Sequence, residues 1–299
     1  MSRIFDALKQ TENSVIRMIE TEQGGQPISS PEEYEPIDVL PDFEGDFSSL
    51  AEPAGAAETA TETANAAGYG TVELRARAGL PVLPFDDTDK RTAECYRILR
   101  TNLLHHPNKP RVFSITSAGS GEGKTTSAIN IAGVLALKED SRVLLVDADL
   151  RRGSVSSMLG IAPSPGLAEV LSGQNCVAEA IVQTENLTNL YILPAGECQA
   201  NPAELLDSDS WSELMTDLRK QFEFVVVDTT PVGIVADYQL VQAVCDGTIM
   251  IVRPDFTDRR DYTTAMQHVT KGKFLGVLLN CVEDWLLWRT RDYYGYSRK

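Results

Sequence analysis

The chain has 299 residues, 42% hydrophobic and 23% charged, with a formal net charge of −16, a length that suits one substantial domain with additional segments. The acidity is concentrated in residues 1–80, which hold 15 acidic and 5 basic side chains, and an acidic surface repels phosphodiester backbones, which argues against nucleic acid as a partner. Cys95, Cys176, Cys198, Cys245 and Cys281 form no CxxC pair, no apolar run approaches the ~20 residues needed to span a bilayer, and the N-terminus lacks a secretory pattern, so the expected location is the reducing cytoplasm.

Residues 1–20 place Ile4, Phe5, Leu8, Ile16 and Ile19 at spacings that line one face of a short amphipathic helix. Docking on the main domain and docking on a partner are equally compatible with it. Residues 21–82 are rich in Glu, Pro, Ala, Gly and Thr, and the stretch AEPAGAAETATETANAAG within them carries no large apolar side chain, so they read as an acidic disordered linker. A structured domain is expected over residues 83–284, with a tail over 285–299.

Within that domain, β-branched runs alternate with helical stretches. The strand candidates are residues 112–117, 142–147, 190–193, 224–228, 248–252 and 274–280. Several are apolar at successive positions, as strands buried on both faces require. The pattern predicts an α/β fold of the P-loop NTPase class, a mostly parallel sheet with helices on both faces and ligands beyond the carboxyl ends of the strands.

The first of these strands runs into Ala118-Gly119-Ser120-Gly121-Glu122-Gly123-Lys124-Thr125-Thr126, and a helix-forming stretch follows. This is a P-loop in which Ala118 replaces the usual first glycine. Its glycines let backbone N–H groups curl toward phosphates, Lys124 reaches the β/γ-phosphates, and the Thr125 hydroxyl is offered to Mg²⁺. Two later strands end in carboxylates, Asp147 with Asp149 close behind, and Asp228. A lone strand-end aspartate is as often a helix cap, but three beside a P-loop suit a hard cation that keeps water and phosphate oxygens in its shell.

GEGKTT, VLLVDADLRR with its DxDxR ending at Arg151, and VVVDTTP of form DxxP ending at Pro231 resemble the Walker A, A′ and B motifs of the bacterial tyrosine kinase (BY-kinase) family, in its split form where the kinase is a separate cytoplasmic chain. The resemblance covers roughly residues 83–299. It extends to Glu94, Arg97 and Arg100, similar to the family's ExxRxxR oligomerisation helix, and to CQANPAELL. Taken alone, those three charges are an ordinary solvated helix face. The chain ends Tyr293-Tyr294-Gly295-Tyr296-Ser297-Arg298-Lys299, which resembles the family's phosphoacceptor cluster, though Trp285, Leu286, Leu287 and Trp288 also allow a tail that simply docks.

The resemblance implies an ATP- and Mg²⁺-dependent protein-tyrosine autokinase that phosphorylates Tyr293, Tyr294 and Tyr296 in trans and regulates exopolysaccharide or capsule polymerisation and export. It implies Lys124, Asp147, Asp149 and Asp228 as the catalytic set, with Asp147 the base for the phenol proton. Thr125, Asp147, Asp149 and Asp228 are the expected metal group; Gly119, Ser120, Gly121, Glu122, Gly123, Lys124, Thr125 and Thr126 hold the nucleotide. Asn280 matches a family position near the adenine, although strand-end asparagines also cap turns. The implied partners are further copies in a ring, a transmembrane polysaccharide co-polymerase that activates the kinase and links it to the inner membrane, and a cognate tyrosine phosphatase. The alternative is a ParA/MinD-like or scaffold ATPase that switches assembly with nucleotide without phosphorylating tyrosine. ParA/MinD proteins carry a second lysine where this chain has Gly119.

Overall fold

Strands apolar at successive positions need cover on both faces. The computed structural model describes residues 68–75, 90–233 and 236–282. The expected N-terminal helix, most of the expected linker, the boundary at residue 83 and the tyrosine tail lie outside the described residues. Eight strands occur among the described residues: β1 (Gly70–Val72), β2 (Val112–Ser117), β3 (Val143–Asp147), β4 (Val182–Thr184), β5 (Leu190–Leu193), β6 (Phe224–Asp228), β7 (Gly247–Val252) and β8 (Phe274–Leu279). Every residue of β2, β3, β5, β6 and β7 is buried. The expected runs at 112–117, 190–193 and 224–228 match to the residue, and the other three differ by one residue at one end.

The helices in chain order are α1 (Lys90–Leu104), α2 (Lys124–Ala136), α3 (Ser154–Leu159), α4 (Leu167–Leu171), α5 (Val177–Ala180), α6 (Pro202–Leu206), α7 (Asp209–Gln221), α8 (Asp237–Val244) and α9 (Arg259–His268). The sheet order is β1-β4-β5-β3-β6-β2-β7-β8. The six strands from β5 to β8 are parallel, whereas β4 pairs antiparallel with β5 and parallel with β1. Alternate side chains of each strand feed the two sides. Phe113, Ile115, Val143, Leu145 and Val226 pack with Ile129, Ala132 and Leu135 of α2 and with Tyr96 and Leu103 of α1. Leu144, Val146, Val225 and Val227 pack with Trp211, Met215 and Leu218 of α7 and Val241 of α8. The two polar side chains facing into the middle of β2 are satisfied: Ser114 bonds the Thr248 hydroxyl at 2.8 Å and Thr116 donates to the Thr230 carbonyl at 2.9 Å, as buried hydroxyls must be.

Residues 68–75 differ from the expectation of a linker throughout 21–82. Here β1 adds an edge strand, and a side-chain clasp holds it. The Tyr69 ring stands edge-on to Tyr191 at 5.5 Å and lies 6.4 Å from Phe222, and its hydroxyl donates to Gln221 at 2.8 Å. The Arg142 guanidinium lies 5.9, 4.9 and 5.0 Å from the Tyr69, Tyr191 and Phe222 rings, within cation–π range. Leu74 packs on the α1–α2 side of the core. Average composition dilutes two anchoring side chains, Tyr69 and Leu74, in a long acidic stretch, so they do not stand out as a strand. No helix among the described residues is long and apolar enough to cross a membrane.

Tyr69→Ala is expected to lower unfolding free energy by about 1–2 kcal/mol, the scale of an aromatic pair and a cation–π contact. Amide hydrogen exchange should speed first at Glu185, whose N–H donates to the Val72 carbonyl at 3.0 Å, while β3 stays protected. An unchanged Glu185 rate would show that the clasp does not hold β1.

Candidate active site

β2 ends at Ser117, and the chain turns through residues 118–123 into α2. Gly121 and Gly123 take φ of +84° and +90°, the left-handed region that side chains disfavour. A Cβ at Gly123 would also collide with the Asn280 amide. Ala118 has no left-handed backbone, which is why alanine serves there. The turn is cross-braced: Ser117 donates to the Gly119 carbonyl at 2.6 Å, the Glu122 carboxylate accepts from the Gly119 N–H at 3.1 Å, and Asn280 Nδ2 donates to the Glu122 carbonyl at 2.9 Å. Burial raises the Glu122 carboxyl above the ordinary glutamate range, opposed by the Thr257 hydroxyl, the Gly119 and Ala118 N–H groups and the Lys124 charge. α2 begins without a side-chain cap, so its first-turn N–H groups and positive dipole end face the turn and favour an anion.

Asp147 and Asp228 are register partners at the carboxyl ends of the adjacent parallel strands β3 and β6. Both are fully buried, and Asp149 is 6% exposed. The two oxygens of Asp147 accept N–H bonds from Asp149 at 3.2 Å and Val155 at 3.0 Å, which ties the β3 end to the start of α3. Its carboxyl is raised well above the ordinary aspartate range, first by burial and then by the neighbouring Asp228 charge. Burial likewise pushes Asp228 up to about 7, opposed by the Thr125 hydroxyl and the Lys124 ammonium. Lys124, at 8% exposure, is therefore an electrostatic partner of the carboxylates.

Both Asp228 oxygens and Oδ1 of Asp149 are buried without a hydrogen bond of ordinary geometry. Such orphaned carboxylate oxygens are costly unless a cation meets them. They fit Mg²⁺. Among the described residues no group of three His, Cys, Asp or Glu forms a metal cage by itself, so such an ion would draw on the Thr125 hydroxyl, water and phosphate oxygens as well.

Three further features frame this edge. Arg151 forms a two-pronged pair with Asp237, at 2.7 and 3.0 Å, at the start of α8. Arg152 donates to the Ser120 hydroxyl at 2.7 Å. Residues Arg253–Thr257, following β7, place Phe256 against Gly121. Asp237, Arg152 and Phe256 carry no spacing signal that would have singled them out. Glu94 and Arg97 pair with each other at 3.2 Å on the exposed side of α1, and Arg100 donates to the Val134 carbonyl of α2 at 3.3 Å. Thr126 sits half-buried in the first turn of α2. Tyr293, Tyr294 and Tyr296 lie outside the described residues.

A cross-braced glycine turn at a helix start, with a buried lysine and buried carboxylates at neighbouring strand ends, defines a P-loop nucleotide-binding protein. A family model described as an AAA domain matches residues 110–257. The tyrosine-protein kinase CpsD of Streptococcus pneumoniae serotype 4 is 38% identical over 197 residues, covering 64% of this chain and 85% of that protein. The kinase domain of Escherichia coli tyrosine kinase ETK superposes with a TM-score of 0.63 at 27% identity, covering 77% of this chain and 93% of that one. The chimerical protein CapA2B2 gives a TM-score of 0.65 at 27% identity, covering 72% and 94%. The chain belongs to the bacterial tyrosine kinase family.

Because the Asp228 carboxyl holds its proton more tightly folded than unfolded, it favours the folded state below the folded value of about 7. That contribution is lost as pH rises through 7. Asp228→Asn should therefore raise the Tm of nucleotide-free protein by several degrees at pH 8 and shift it far less at pH 4, where the aspartate is itself protonated in the fold. Thermal unfolding by circular dichroism at the two pH values checks this. A lower Tm at pH 8 would show that Asp228 is not a buried, strained carboxylate.

Proposed function

We propose that this chain is an ATP-dependent protein-tyrosine kinase that phosphorylates Tyr293, Tyr294 and Tyr296 of a second copy and thereby regulates exopolysaccharide or capsule polymerisation and export. The observation that carries the reading is the convergence of the P-loop with Asp147, Asp149 and Asp228 at the carboxyl ends of β3 and β6, in a chain of this family. Phosphoryl transfer needs little covalent help from a protein and much positioning and charge. The N–H groups of residues 119–126 cradle the phosphates, and Lys124 binds the β/γ oxygens. Thr125, Asp149 and Asp228 would hold Mg²⁺, which when bound would offset charge on the transferring phosphoryl group.

Asp147 accepts the phenolic proton. The tyrosine oxygen bonds to the γ-phosphorus as the bond to the β–γ bridging oxygen breaks, and ADP leaves. A phenol ionises near pH 10, so its proton departs as transfer proceeds. A carboxyl of raised proton affinity suits that task better than an ordinary aspartate. Asn280 braces the P-loop from β8 and stands where the family places the adenine. Arg151 links the A′ motif to α8 through Asp237.

The reading includes a ring of copies joined through α1. There Glu94 and Arg97 exchange their 3.2 Å internal pair for partners on the next copy, and Ile98, 56% exposed, supplies apolar contact. A transmembrane polysaccharide co-polymerase activates the kinase and keeps it at the inner membrane, and a tyrosine phosphatase reverses the modification.

Purified protein incubated with Mg-ATP and the cytoplasmic segment of the co-polymerase should carry phosphate on Tyr293, Tyr294 or Tyr296 by mass spectrometry of the C-terminal peptide. Lys124→Ala should abolish the modification while the circular dichroism spectrum stays that of a folded protein and the Tm falls, because it removes both a phosphate contact and the cation opposite the buried Asp228. Unmodified tyrosines despite bound ATP would replace the kinase with a nucleotide-switched scaffold.

A further inference from the structure

Arg152 is a cation at the P-loop that the proposed reaction leaves unused. It reaches across from the turn after β3, and its Nη1 donates to the Ser120 hydroxyl at 2.7 Å. The turn that carries it is fixed. The Arg152 and Gly153 N–H groups both donate to the Asp149 carbonyl, at 3.0 and 2.8 Å, and Gly153 takes a left-handed φ of 57°. Asp149 is also the residue whose buried Oδ1 lacks a hydrogen bond, so one turn offers a carboxylate to a cation and a guanidinium to the P-loop. Two other cations of this edge are committed to carboxylates: Arg151 holds Asp237 in a two-pronged pair, and Lys124 faces Asp228. Arg152 instead meets a neutral hydroxyl, and it is exposed. One such bond satisfies a small part of a fork with five N–H donors.

A hydroxyl is a weak partner for a guanidinium and a phosphate is a strong one, because both groups are then charged and the planar fork fits two oxygens at once. We infer that Arg152 leaves Ser120 when Mg-ATP binds and ligates the γ-phosphate, so that this chain distinguishes ATP from ADP through the turn after β3; this deepens the kinase reading and rests on it. Position favours the γ-phosphate over the others. Strand order puts β6 and then β3 on one side of β2, and β7 and then β8 on the other. The orphaned oxygens of Asp149 and Asp228 put the metal place on the first side, and Mg²⁺ in such sites bridges the β- and γ-phosphates. Arg152 enters from that side, while Asn280 braces the loop from β8 on the other. Gly119, next to Ser120, brings no side chain of its own, which leaves the approach open to the guanidinium. An arginine supplied by the same chain can offset the charge of the transferring group.

Titration calorimetry on the full chain, with the co-polymerase segment present, tests this with Mg-ADP and with the Mg complex of adenylyl imidodiphosphate, a non-hydrolysable ATP analogue. Arg152→Gln removes the charge but retains an N–H donor for Ser120. It should weaken the analogue about tenfold or more, the scale of a charge-assisted hydrogen bond, and leave the Kd for Mg-ADP nearly unchanged. Arg152→Lys keeps the charge and should stay within about threefold of the unchanged chain for the analogue. A merely bracing role for Arg152 would weaken both nucleotides alike. Equal weakening of the two by Arg152→Gln would therefore overturn the inference, and so would an unchanged affinity for the analogue. Failure of the unchanged chain to bind either nucleotide would mark failure of the kinase reading itself, and the inference would fall with it.

Discussion

Two carboxylates sit side by side beneath the protein surface. Asp147 and Asp228 are register partners on adjacent parallel strands, and both are fully buried. Like charges facing each other across strands repel, and burial multiplies the cost. The fold tolerates them because Lys124 and Thr125 stand opposite Asp228 and two backbone N–H groups bind Asp147. This unresolved charge makes the edge receptive to a divalent cation and its phosphates, so the strain that weakens the empty protein is the same feature that prepares it for nucleotide.

The strand order makes this arrangement available. β2 lies between β6 and β7, with β8 next, so one P-loop reaches the carboxyl end of β6, the turn after β7 and the residue after β8. Asp228, Phe256 and Asn280 come from those places. All six strands from β5 to β8 run the same way, and their carboxyl ends therefore collect on one edge, the usual ligand edge of such sheets. The P-loop glycines hold the turn open for phosphate, while Asn280 and Glu122 hold it shut against collapse.

The aromatic clasp at Tyr69 shows a different economy of design. It lies on the strand-pair flank, where β4 turns antiparallel and β1 follows it, and one arginine serves three rings. Residues 68–75 are thereby held at the sheet edge by side chains as well as by the three-residue pairing of β1 with β4.

Much of this protein was legible in its residues. Runs of β-branched residues without polar alternation marked six strands, because burial on both faces leaves no room for polar side chains. The glycines before Lys124 marked the P-loop, because left-handed turns exclude most other residues. Strand-end aspartates marked the carboxylate cluster. Tertiary structure alone decided the rest. A short edge strand such as β1 has too few residues to show a period, and it forms only because Tyr191, Phe222 and Arg142 offer it a surface. Asp237 finds Arg151 across 86 positions, and Phe256 finds Gly121 across a strand crossover. Local sequence determines which backbone shapes and which chemistries are allowed; which side chains meet is settled only when the sheet order brings distant strand ends to one edge, because contact energy depends on distance in space and not along the chain.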